Sequence, residues 1–484
     1  MKLITNKPEF YNDICEEIRL FLPREEISAE GGEDGSSLSV SLKTGESFTA
    51  TAAYFVRGEV FSYTHETPYV GGSDIVEKRY AKRCVKVAIF RALRKAFPEK
   101  LIPWGSLTGI RPTRLLRELI DTEGYDEALR LMREEFDVDE NKLRLAEEIV
   151  AVQRPILDSA GSNMLGVYIG IPFCRTRCLY CSFASQLRTK KTDMAAYLRA
   201  LSRDIELGSQ MAKDKGLVPR SFYMGGGTPT ILTAEELDCL LDKICSCYDT
   251  AGIEFTVEAG RPDTITEEKL RVMKEHGVTR VSVNPQTMCD RTLRLVGRDH
   301  SAADIISCYE TVRGVGFDSI NMDLIAGLPG ETEIDMEASL AAVKALSPDC
   351  LTVHTLAIKR ASRLHERMDE YALPSVETVE RMVEMGRETA REMGMKPYYM
   401  YRQKYMAGNL ENVGYSLPSV VCVYNIDMME DGMSILAHGA GAMTKRVWAD
   451  GGRIERVPNN KDIATYIESV DKTNAERAEL FSLD

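Results

Sequence analysis

Long apolar segments and an excess of basic residues are both absent from this chain of 484 residues. No stretch reaches the ~18 consecutive apolar residues that a membrane-spanning helix needs, so the sequence predicts no membrane span. The first residues lack the apolar core of a signal peptide. Acidic residues outnumber basic ones by 74 to 61, and the net charge of -13 disfavours nucleic acid as a partner.

Cysteine is present twelve times. In a chain without an export signal, that number favours reduced thiols and metal ligation, so we expect a cytoplasmic protein. Cys239, Cys245 and Cys247 share one predicted helix and are interpreted as core or surface residues. The other cluster stands in GVYIGIPFCRTRCLYC at 166–181, where the spacing is C-x3-C-x2-C. An apolar run at 167–171 leads into it and predicts a buried strand that ends at Pro172.

Cys174, Cys178 and Cys181 can surround one soft metal centre, because three thiolates lie within eight residues. Iron–sulfur clusters are usually held by four cysteines. No further Cys or His follows until Cys239, so a cubane here would keep one iron without a protein ligand. An open metal position is typical of a reactive centre rather than a structural one. The alternative is a zinc site completed by a distant residue, and a disulfide is disfavoured by the expected compartment.

The first part of the chain, residues 1–160, is predicted to be an α+β domain. Its patterns indicate helices at 10–21, 76–97, 113–134 and 139–151, strands at 38–42 and 47–54, and a linker at 153–163. The helix at 76–97 presents a basic face that could contact RNA, an acidic protein or carboxylates, or could simply be a solvated surface. Arg111, in a turn-rich segment at 103–113, either packs against the next domain or meets a ligand.

From residue 161 onward, strands alternate with helices. Strands are predicted at 167–171, 220–224, 253–258, 279–283, 318–324 and 350–354, with helices at 193–214, 233–247, 266–276, 301–314 and 332–346. Six such units predict an α/β fold with a parallel sheet, a partial (β/α)6 TIM-like barrel whose ligands lie at the C-terminal strand ends. We therefore expect three domains, 1–160, a core at 161–357, and a C-terminal α+β extension at 358–484 that covers the substrate.

Polar residues follow the predicted strands at these ends. The second strand is followed by MGGGTPT at 224–230, where consecutive glycines let backbone approach a ligand closely. The glycine motif could also be a plain tight turn, Glu258 could be a helix-capping or salt-bridged carboxylate, and His354 could be a satisfied strand-end histidine. The polar candidates are Glu258, Gln286, Arg298, Asp323 and His354.

The cysteine spacing, followed in order by the glycine motif, resembles the radical SAM superfamily. The resemblance implies that the three cysteines hold a 4Fe-4S cluster and that the open iron takes S-adenosylmethionine, which one electron cleaves to a 5′-deoxyadenosyl radical. Tyr168 is implied to have a catalytic role alongside the cysteines. The residues implied to contact one or two molecules of the cofactor are Tyr168, Tyr180, Gly226, Gly227, Thr228, Glu258, Gln286, Arg298, Asp323, Ala357 and Met443.

Within that superfamily, the ordered motifs resemble the oxygen-independent coproporphyrinogen III oxidase branch, and the N-terminal part looks most like the HemZ-type coproporphyrinogen dehydrogenases. This implies oxidative decarboxylation of two propionates to vinyl groups, giving protoporphyrinogen IX. It also implies a one-electron donor such as flavodoxin or ferredoxin, and we expect a monomer. In the tyrosine-rich segment 397–415, Arg402 and Lys404 could meet propionates, or the segment could be a domain interface.

Two positions depart from the oxidase pattern. The oxidases have a fourth cysteine where this chain has Phe183, and a histidine where it has Gly170. Both departures are closer to the haem chaperones of the same branch. The alternative functions are therefore a haem-binding chaperone that carries the cluster without decarboxylating, and a radical SAM enzyme that modifies RNA through the basic helix at 78–95.

Overall fold

The computed structural model describes residues 1–23, 25–30, 35–109, 111–183, 185–403, 406–448 and 453–483. They form two compact units, residues 1–147 with 408–410, and residues 148–407 with 411–484. The three domains expected from the sequence, with a boundary between residues 357 and 358, stay a prediction. Within the described ranges, no helix combines the length and apolar character needed to cross a membrane.

The first unit is a four-stranded sheet covered by helices. Its strands run in the order β1-β2-β3-β4, with β1 parallel to β2 and the remaining pairs antiparallel. Ile14, Ile18 and Phe21 of the first helix and Phe90 of the second are buried in one apolar core with the sheet. The elements are β1 (Lys2–Thr5), α1 (Tyr11–Phe21), β2 (Ser37–Thr44), β3 (Ser47–Val56), β4 (Glu59–Pro68), α2 (Asp74–Ala96), α3 (Pro112–Glu123) and α4 (Tyr125–Arg130), followed by α5 (Glu140–Asp158), which runs on into the second unit.

The second unit begins with the strands that position the site. All six predicted strands are present. They lie side by side in the order of the chain and parallel to one another, and each connection between them contains a helix. This confirms the partial (β/α)6 barrel. The elements are β5 (Met164–Ile171), β6 (Phe173–Cys174), β7 (Gln186–Leu187), α6 (Met194–Asp214), β8 (Val218–Gly226), α7 (Ala234–Cys247), β9 (Glu254–Gly260), α8 (Glu267–Glu275), β10 (Arg280–Gln286), α9 (Asp290–Leu295), α10 (Ala302–Val315), β11 (Ser319–Ala326), α11 (Glu333–Leu346) and β12 (Cys350–Thr355).

The remaining elements extend the same sheet to eleven strands. Beyond β12 comes β14, which is antiparallel to β12, and then β13, which is antiparallel to β14. On the other side of β5 comes β15, which is parallel to β5. The core sheet is therefore completed by strands from the C-terminal quarter of the chain. The elements are α12 (Arg363–Glu366), α13 (Val376–Glu392), β13 (Lys396–Tyr401), β14 (Asn412–Ser416), α14 (Val423–Glu430), β15 (Ser434–His438), β16 (Met443–Val447), β17 (Ile454–Pro458) and α15 (Ile463–Leu480).

Two sequence predictions are wrong in detail. The predicted linker at 153–163 is largely helix, because α5 continues through Pro155 to Asp158. Gln153 is buried there and donates from Nε2 to the Tyr398 carbonyl at 3.1 Å, which ties the helix to β13. The predicted single helix at 113–134 divides at Gly124, whose φ of 87° ends α3 before α4 begins.

A buried carboxylate joins the last helix to the barrel. Asp204 on α6 accepts hydrogen bonds from Arg477 Nη1 at 2.5 Å and from His438 Nδ1 at 3.2 Å. The Gly439 amide donates to the same carboxylate at 3.0 Å and the Tyr466 hydroxyl at 2.9 Å. Burial by itself would raise the pKa of Asp204, but Arg477 and His438 outweigh it and hold that pKa well below its usual range. The carboxylate therefore stays charged and fully bonded.

We expect Asp204→Asn to lower the free energy of unfolding by about 3–5 kcal/mol, because it leaves the buried Arg477 guanidinium without its counter-charge. The measurement is urea unfolding followed by circular dichroism. Asp471→Asn is the matched control, since Asp471 is exposed and pairs only with Arg203 at 3.2 Å, and it should change stability by about 1 kcal/mol or less. Equal effects of the two variants would contradict the role assigned to Asp204.

A second buried carboxylate, on α14, is poorly compensated. Asp427 lies 3.4 Å from Arg220 Nε across a contact with β8. Burial raises the pKa of Asp427 from its usual 3.8 to about 6, and the partial relief from Arg220 is opposed by the charge of Glu254. The folded protein therefore holds this proton more tightly than the unfolded chain does.

Because the folded pKa is raised, the free energy of unfolding falls as pH rises from about 4 to about 6 and stays low above that. Asp427→Asn removes this loss of stability, which amounts to roughly 3 kcal/mol when the carboxyl is fully ionised. We expect the Tm of the variant to match that of the parent near pH 3.5, where the carboxyl is protonated in both states, and to exceed it at pH 7.5 by thermal denaturation. A Tm difference that is the same at both pH values would contradict the raised pKa.

Candidate functional site

The three cysteines of the motif lie on a loop that leaves the end of β5. Between the second and third of them, Leu179 is held by its backbone on both sides: its amide donates to the Val296 carbonyl at 2.9 Å, and its carbonyl accepts from the Leu364 amide at 3.0 Å. Its side chain is buried in an apolar cluster that includes Val296, Leu328 and Leu364. The loop is thus fixed before any ligand binds.

Side chains anchor the same loop at two further points. The Thr176 hydroxyl donates to the Gly297 carbonyl at 2.9 Å and accepts from Arg261 Nη1 at 2.6 Å. Arg177 donates from Nη2 to the Ala361 carbonyl at 2.7 Å. These bonds tie the loop to segments that follow other strands of the sheet.

Cys174, Cys178 and Cys181 are all half-buried free thiols. Burial, and then the nearby Cys178 and Cys174, raise the pKa of the Cys181 thiol, so the three sulfurs lie close enough to interact. The Thr228 hydroxyl lies 3.6 Å from Cys174 Sγ. Arg298 lies near this loop: against the effect of burial, the nearby Tyr180 and Cys178 help to raise the pKa of its guanidinium, and its charge also acts on Tyr180.

Two kinds of metal centre would make different demands on the three sulfurs. Thiolates on a single zinc ion meet at Zn–S distances of about 2.3 Å. A cubane spreads its thiolates over several irons and accepts a wider set. Three free thiols on one loop suit the cluster, and a zinc site completed by a distant residue stays the alternative.

The glycine motif lies directly against the backbone that leads to the cysteines. The Gly227 amide donates to the Ile171 carbonyl at 2.8 Å, and the Thr228 amide donates to the Phe173 carbonyl at 2.8 Å. A Cβ at Gly227 would lie 2.5 Å from the Phe173 carbonyl oxygen, and Gly226 has a φ of 106°. Only glycine allows this approach, which brings the end of β8 beside the cysteine loop.

Three tyrosines stack beside Glu258 at the same edge of the sheet. The rings of Tyr223 and Tyr424 are 4.6 Å apart, and Tyr168 stacks against both. The Tyr223 hydroxyl donates to Glu258 Oε1 at 2.5 Å. Burial, and to a smaller extent the charge of Asp323, raise the pKa of Glu258. Glu258 is therefore the carboxyl in this group that most readily holds a proton.

Asp323 has the opposite tendency. Burial would raise its pKa, but hydrogen bonding to His354 and the charge of that imidazole outweigh burial and lower it. The Asp323 carboxylate lies 3.6 Å from His354 Nε2 and accepts from Asn321 Nδ2 at 2.7 Å. The Tyr401 hydroxyl lies 3.5 Å from His354 Nδ1. Two neighbouring carboxyls with pKa values pushed apart are a common arrangement for acid and acceptor roles.

The predicted Gln286 and Arg298 lie where β10 ends. Gln286 is buried and has a φ of 70°, a conformation that few residues other than glycine adopt without a local constraint. Arg298 is buried and donates from Nη1 to the Pro285 carbonyl at 3.0 Å. Its Nε and the Oδ1 of Asn284 are both buried without a hydrogen-bond partner in the described part of the chain. Polar atoms left in this state are typical of a site completed by a ligand.

The residues present fit a cluster and an amino-acid-bearing cofactor. Three thiols suit iron, the glycine backbone suits close approach of a ligand, and the orphaned atoms of Arg298 and Asn284 offer a donor and an acceptor. The roles of individual residues in cofactor contact stay predictions.

Other predicted residues are more scattered. Ala357 forms an isolated bridge with Met406 just after β12. Met443 begins β16 and is 46% exposed, and the buried Arg402 follows β13. The predicted Lys404 lies outside the described residues.

Tyr223 and Tyr424 are site residues that the sequence analysis missed. Tyr223 could have been found, because it pairs in register with Tyr168 on the adjacent parallel strand and so reaches the same edge. Tyr424 gives no such signal. It lies on α14, whose first amides are capped by the Glu254 carboxylate, which accepts from the Val423 amide at 2.8 Å and from the Tyr424 amide at 3.0 Å. That cap exists only in the folded chain.

Comparison with known sequences identifies a family and several relatives. The family model of the radical SAM superfamily matches residues 168–343. The oxygen-independent coproporphyrinogen-III oxidase-like protein HemZ of Bacillus subtilis is 37% identical over 91% of this chain and 89% of its own length. The heme chaperone HemW of the same organism is 33% identical over 49% of this chain and 62% of its own. The anaerobic coproporphyrinogen III oxidase 1 of Cereibacter sphaeroides is 31% identical over 43% and 46%.

Among solved structures, coproporphyrinogen III oxidase (HemN) from Escherichia coli, described as a radical SAM enzyme, has a similar fold. It superimposes with a TM-score of 0.54 at 23% sequence identity, covering 67% of this chain and 73% of that one. At this identity the likeness supports the fold alone.

We expect Gly227→Ala to prevent assembly of the cluster, because its Cβ would overlap backbone atoms that carry the cysteine loop. The anaerobically reconstituted parent should hold about four irons per chain, and the variant should hold less than half of that. Gly314→Ala, at an open position in α10, is the control and should retain full iron. Full iron and sulfide in Gly227→Ala would contradict the geometry described.

Proposed function

The chain belongs to the radical SAM superfamily, among the oxygen-independent coproporphyrinogen-III oxidase-like proteins, and on that premise we propose that it oxidatively decarboxylates the propionates of coproporphyrinogen III. The family predicted from the motifs is confirmed by the match to 89% of the HemZ relative. Its cofactors are a 4Fe-4S cluster and S-adenosylmethionine. When bound, they supply a carbon-centred radical that can remove a hydrogen atom from an unactivated C–H bond.

One observation carries the proposal. The loop with three free thiols and the half-buried polar group formed by Glu258, Asp323 and His354 lie at the ends of the parallel strands of one sheet. Ligands of such sheets bind at this edge. A radical source and a set of proton-handling groups would thus act on the same substrate.

The proposed reaction balances on the substrate. One hydrogen atom leaves the β-carbon of a propionate side chain. The hydrogen atom passes to the cofactor-derived radical, and the remaining carbon radical loses carbon dioxide and gives one electron to an external one-electron acceptor, so a vinyl group remains. Two propionates react in turn, giving protoporphyrinogen IX. A one-electron donor such as flavodoxin or ferredoxin is proposed to supply the reducing electron, and the protein is proposed to act as a monomer.

We assign the chain's own residues to binding and orientation. Asp323, whose pKa is lowered, suits ribose hydroxyls as a charged acceptor. Glu258, whose pKa is raised, suits an interaction in which it can donate as well as accept. The stacked rings of Tyr168, Tyr223 and Tyr424 offer a flat apolar wall.

The second candidate is a haem-binding chaperone, and specific observations favour it. The HemW relative is named a heme chaperone. Gly170 stands where the oxidases have a histidine, and a Cβ there would lie 3.3 Å from the His438 carbonyl oxygen, so the present packing leaves little room for a side chain. Phe183, at the position of the oxidases' fourth cysteine, is 67% exposed.

We expect the anaerobic, reconstituted protein to convert coproporphyrinogen III to vinyl products when given S-adenosylmethionine and dithionite, with products identified by mass spectrometry. Cys178→Ala should abolish turnover, because it removes a cluster ligand. Cys239→Ala should leave the rate within about twofold, because that cysteine is exposed on α7, outside the loop.

The two candidate functions predict different results for the parent protein in this experiment. Vinyl product that requires Cys178 supports decarboxylation. Stoichiometric haem binding without vinyl product, in protein that carries an intact cluster and cleaves S-adenosylmethionine, would replace the decarboxylase proposal with the chaperone.

A further inference from the structure

The first unit contains a pocket that the radical chemistry does not use. It has a volume of about 320 Å³ and lies between α2, the segment 106–109, Arg111 and the start of α3. Five cationic side chains and one carboxylate line it: Arg79, Arg83, Lys86, Arg111, Arg114 and Glu118. This volume is at the lower end of the range for small-molecule sites, so a compact ligand is indicated.

The cations on α2 share one face because they are spaced at i, i+4 and i+7. Arg83 is the central one. It makes no hydrogen bond or ion pair with any residue that the structure describes; its guanidinium lies 5.3 Å from the centre of the Tyr80 ring and 6.0 Å from that of Phe136. Burial, and then the like charge of Arg79, lower the pKa of Arg83. Its charge is therefore left uncompensated in a partly desolvated place.

Two neighbouring cations, Arg79 and Lys86, make only long ion pairs, and Lys86 also donates from Nζ to the Thr108 hydroxyl. Arg79 lies 3.6 Å from Glu118, and Glu118 receives a shorter bond of 2.9 Å from Arg114 Nε. Lys86 lies 3.7 Å from Asp13, which is engaged at 2.7 Å by Lys82. Among the described residues that line the pocket, Glu118 is the one carboxylate. Its negative charge therefore offsets part of the positive charge that would attract an anion.

We propose that this pocket binds a small multivalent oxyanion, with the Arg83 guanidinium as its central contact. An arginine fork matches two oxygens of a phosphate or carboxylate group. Thr108, whose hydroxyl accepts from Lys86 Nζ, adds a polar group to the lining, and Val87, Leu107 and Phe136 add apolar surface. The ligand class is a phosphate- or carboxylate-bearing small molecule. This inference does not depend on the proposed function, because it concerns a different unit of the chain.

The test is isothermal titration calorimetry of the full-length protein with two probes, pyrophosphate and citrate. Arg83→Gln should weaken binding at least tenfold. Lys78→Gln removes the same charge from an exposed position of α2 outside the pocket, and should change affinity less than twofold. Glu118→Gln should strengthen binding two- to fivefold, because it removes the competing carboxylate.

Tighter binding of pyrophosphate than of citrate assigns a phosphate ligand, and the reverse assigns a carboxylate; either supports the proposal. If Arg83→Gln does not fold, Arg79→Gln, whose side chain is 48% exposed, should still lower affinity. Absence of binding by both probes overturns the proposal. Equal weakening of probe binding by Arg83→Gln and Lys78→Gln also overturns it. So does tight binding of an RNA oligonucleotide that both variants lose equally. Each of these two results would indicate a diffuse basic face rather than a pocket.

Discussion

The site depends on one backbone contact, the approach of Gly227 to the strand that delivers the cysteines. The Gly227 and Thr228 amides donate to the Ile171 and Phe173 carbonyls, and no side-chain carbon fits between them. This contact continues the pairing of β5 with β8 past the last residue of each strand. It therefore fixes the direction in which the loop with Cys174 leaves the sheet, and everything the thiols can bind follows from that direction.

Burial and local partners together set the pKa values of the two carboxyls at the strand ends. Glu258 and Asp323 are both carboxyls in a dry environment, yet their pKa values move in opposite directions. The difference lies in their partners: His354 accompanies Asp323, whereas Glu258 meets a tyrosine hydroxyl and the charge of Asp323 itself. One group is thereby suited to remain charged and the other to carry a proton. Such a division needs both residues within one desolvated group.

The C-terminal quarter of the chain completes the sheet and is fastened by the Asp204 carboxylate. Arg477 also donates from Nη2 to the Ala437 carbonyl at 2.6 Å, and Tyr197 donates to the Gly170 carbonyl at 2.7 Å. These bonds connect α15 and α6 to β15 and to the strand just before the cysteine loop. The far end of the chain thus supports the backbone from which the cofactor site begins.

The sequence by itself determined the local features. Periodicity located all six parallel strands, and the spacing of the three cysteines indicated the family. Each of these features depends on residues only a few positions apart in the sequence, so local backbone geometry determines it. Only the tertiary structure decided that β15 lies beside β5, that Tyr424 stacks on Tyr223, that Arg83 has no ion pair within the described ranges, and that 153–158 is helical. Each of these is settled by packing between segments far apart in the chain, and burial there outweighs what the local pattern favours.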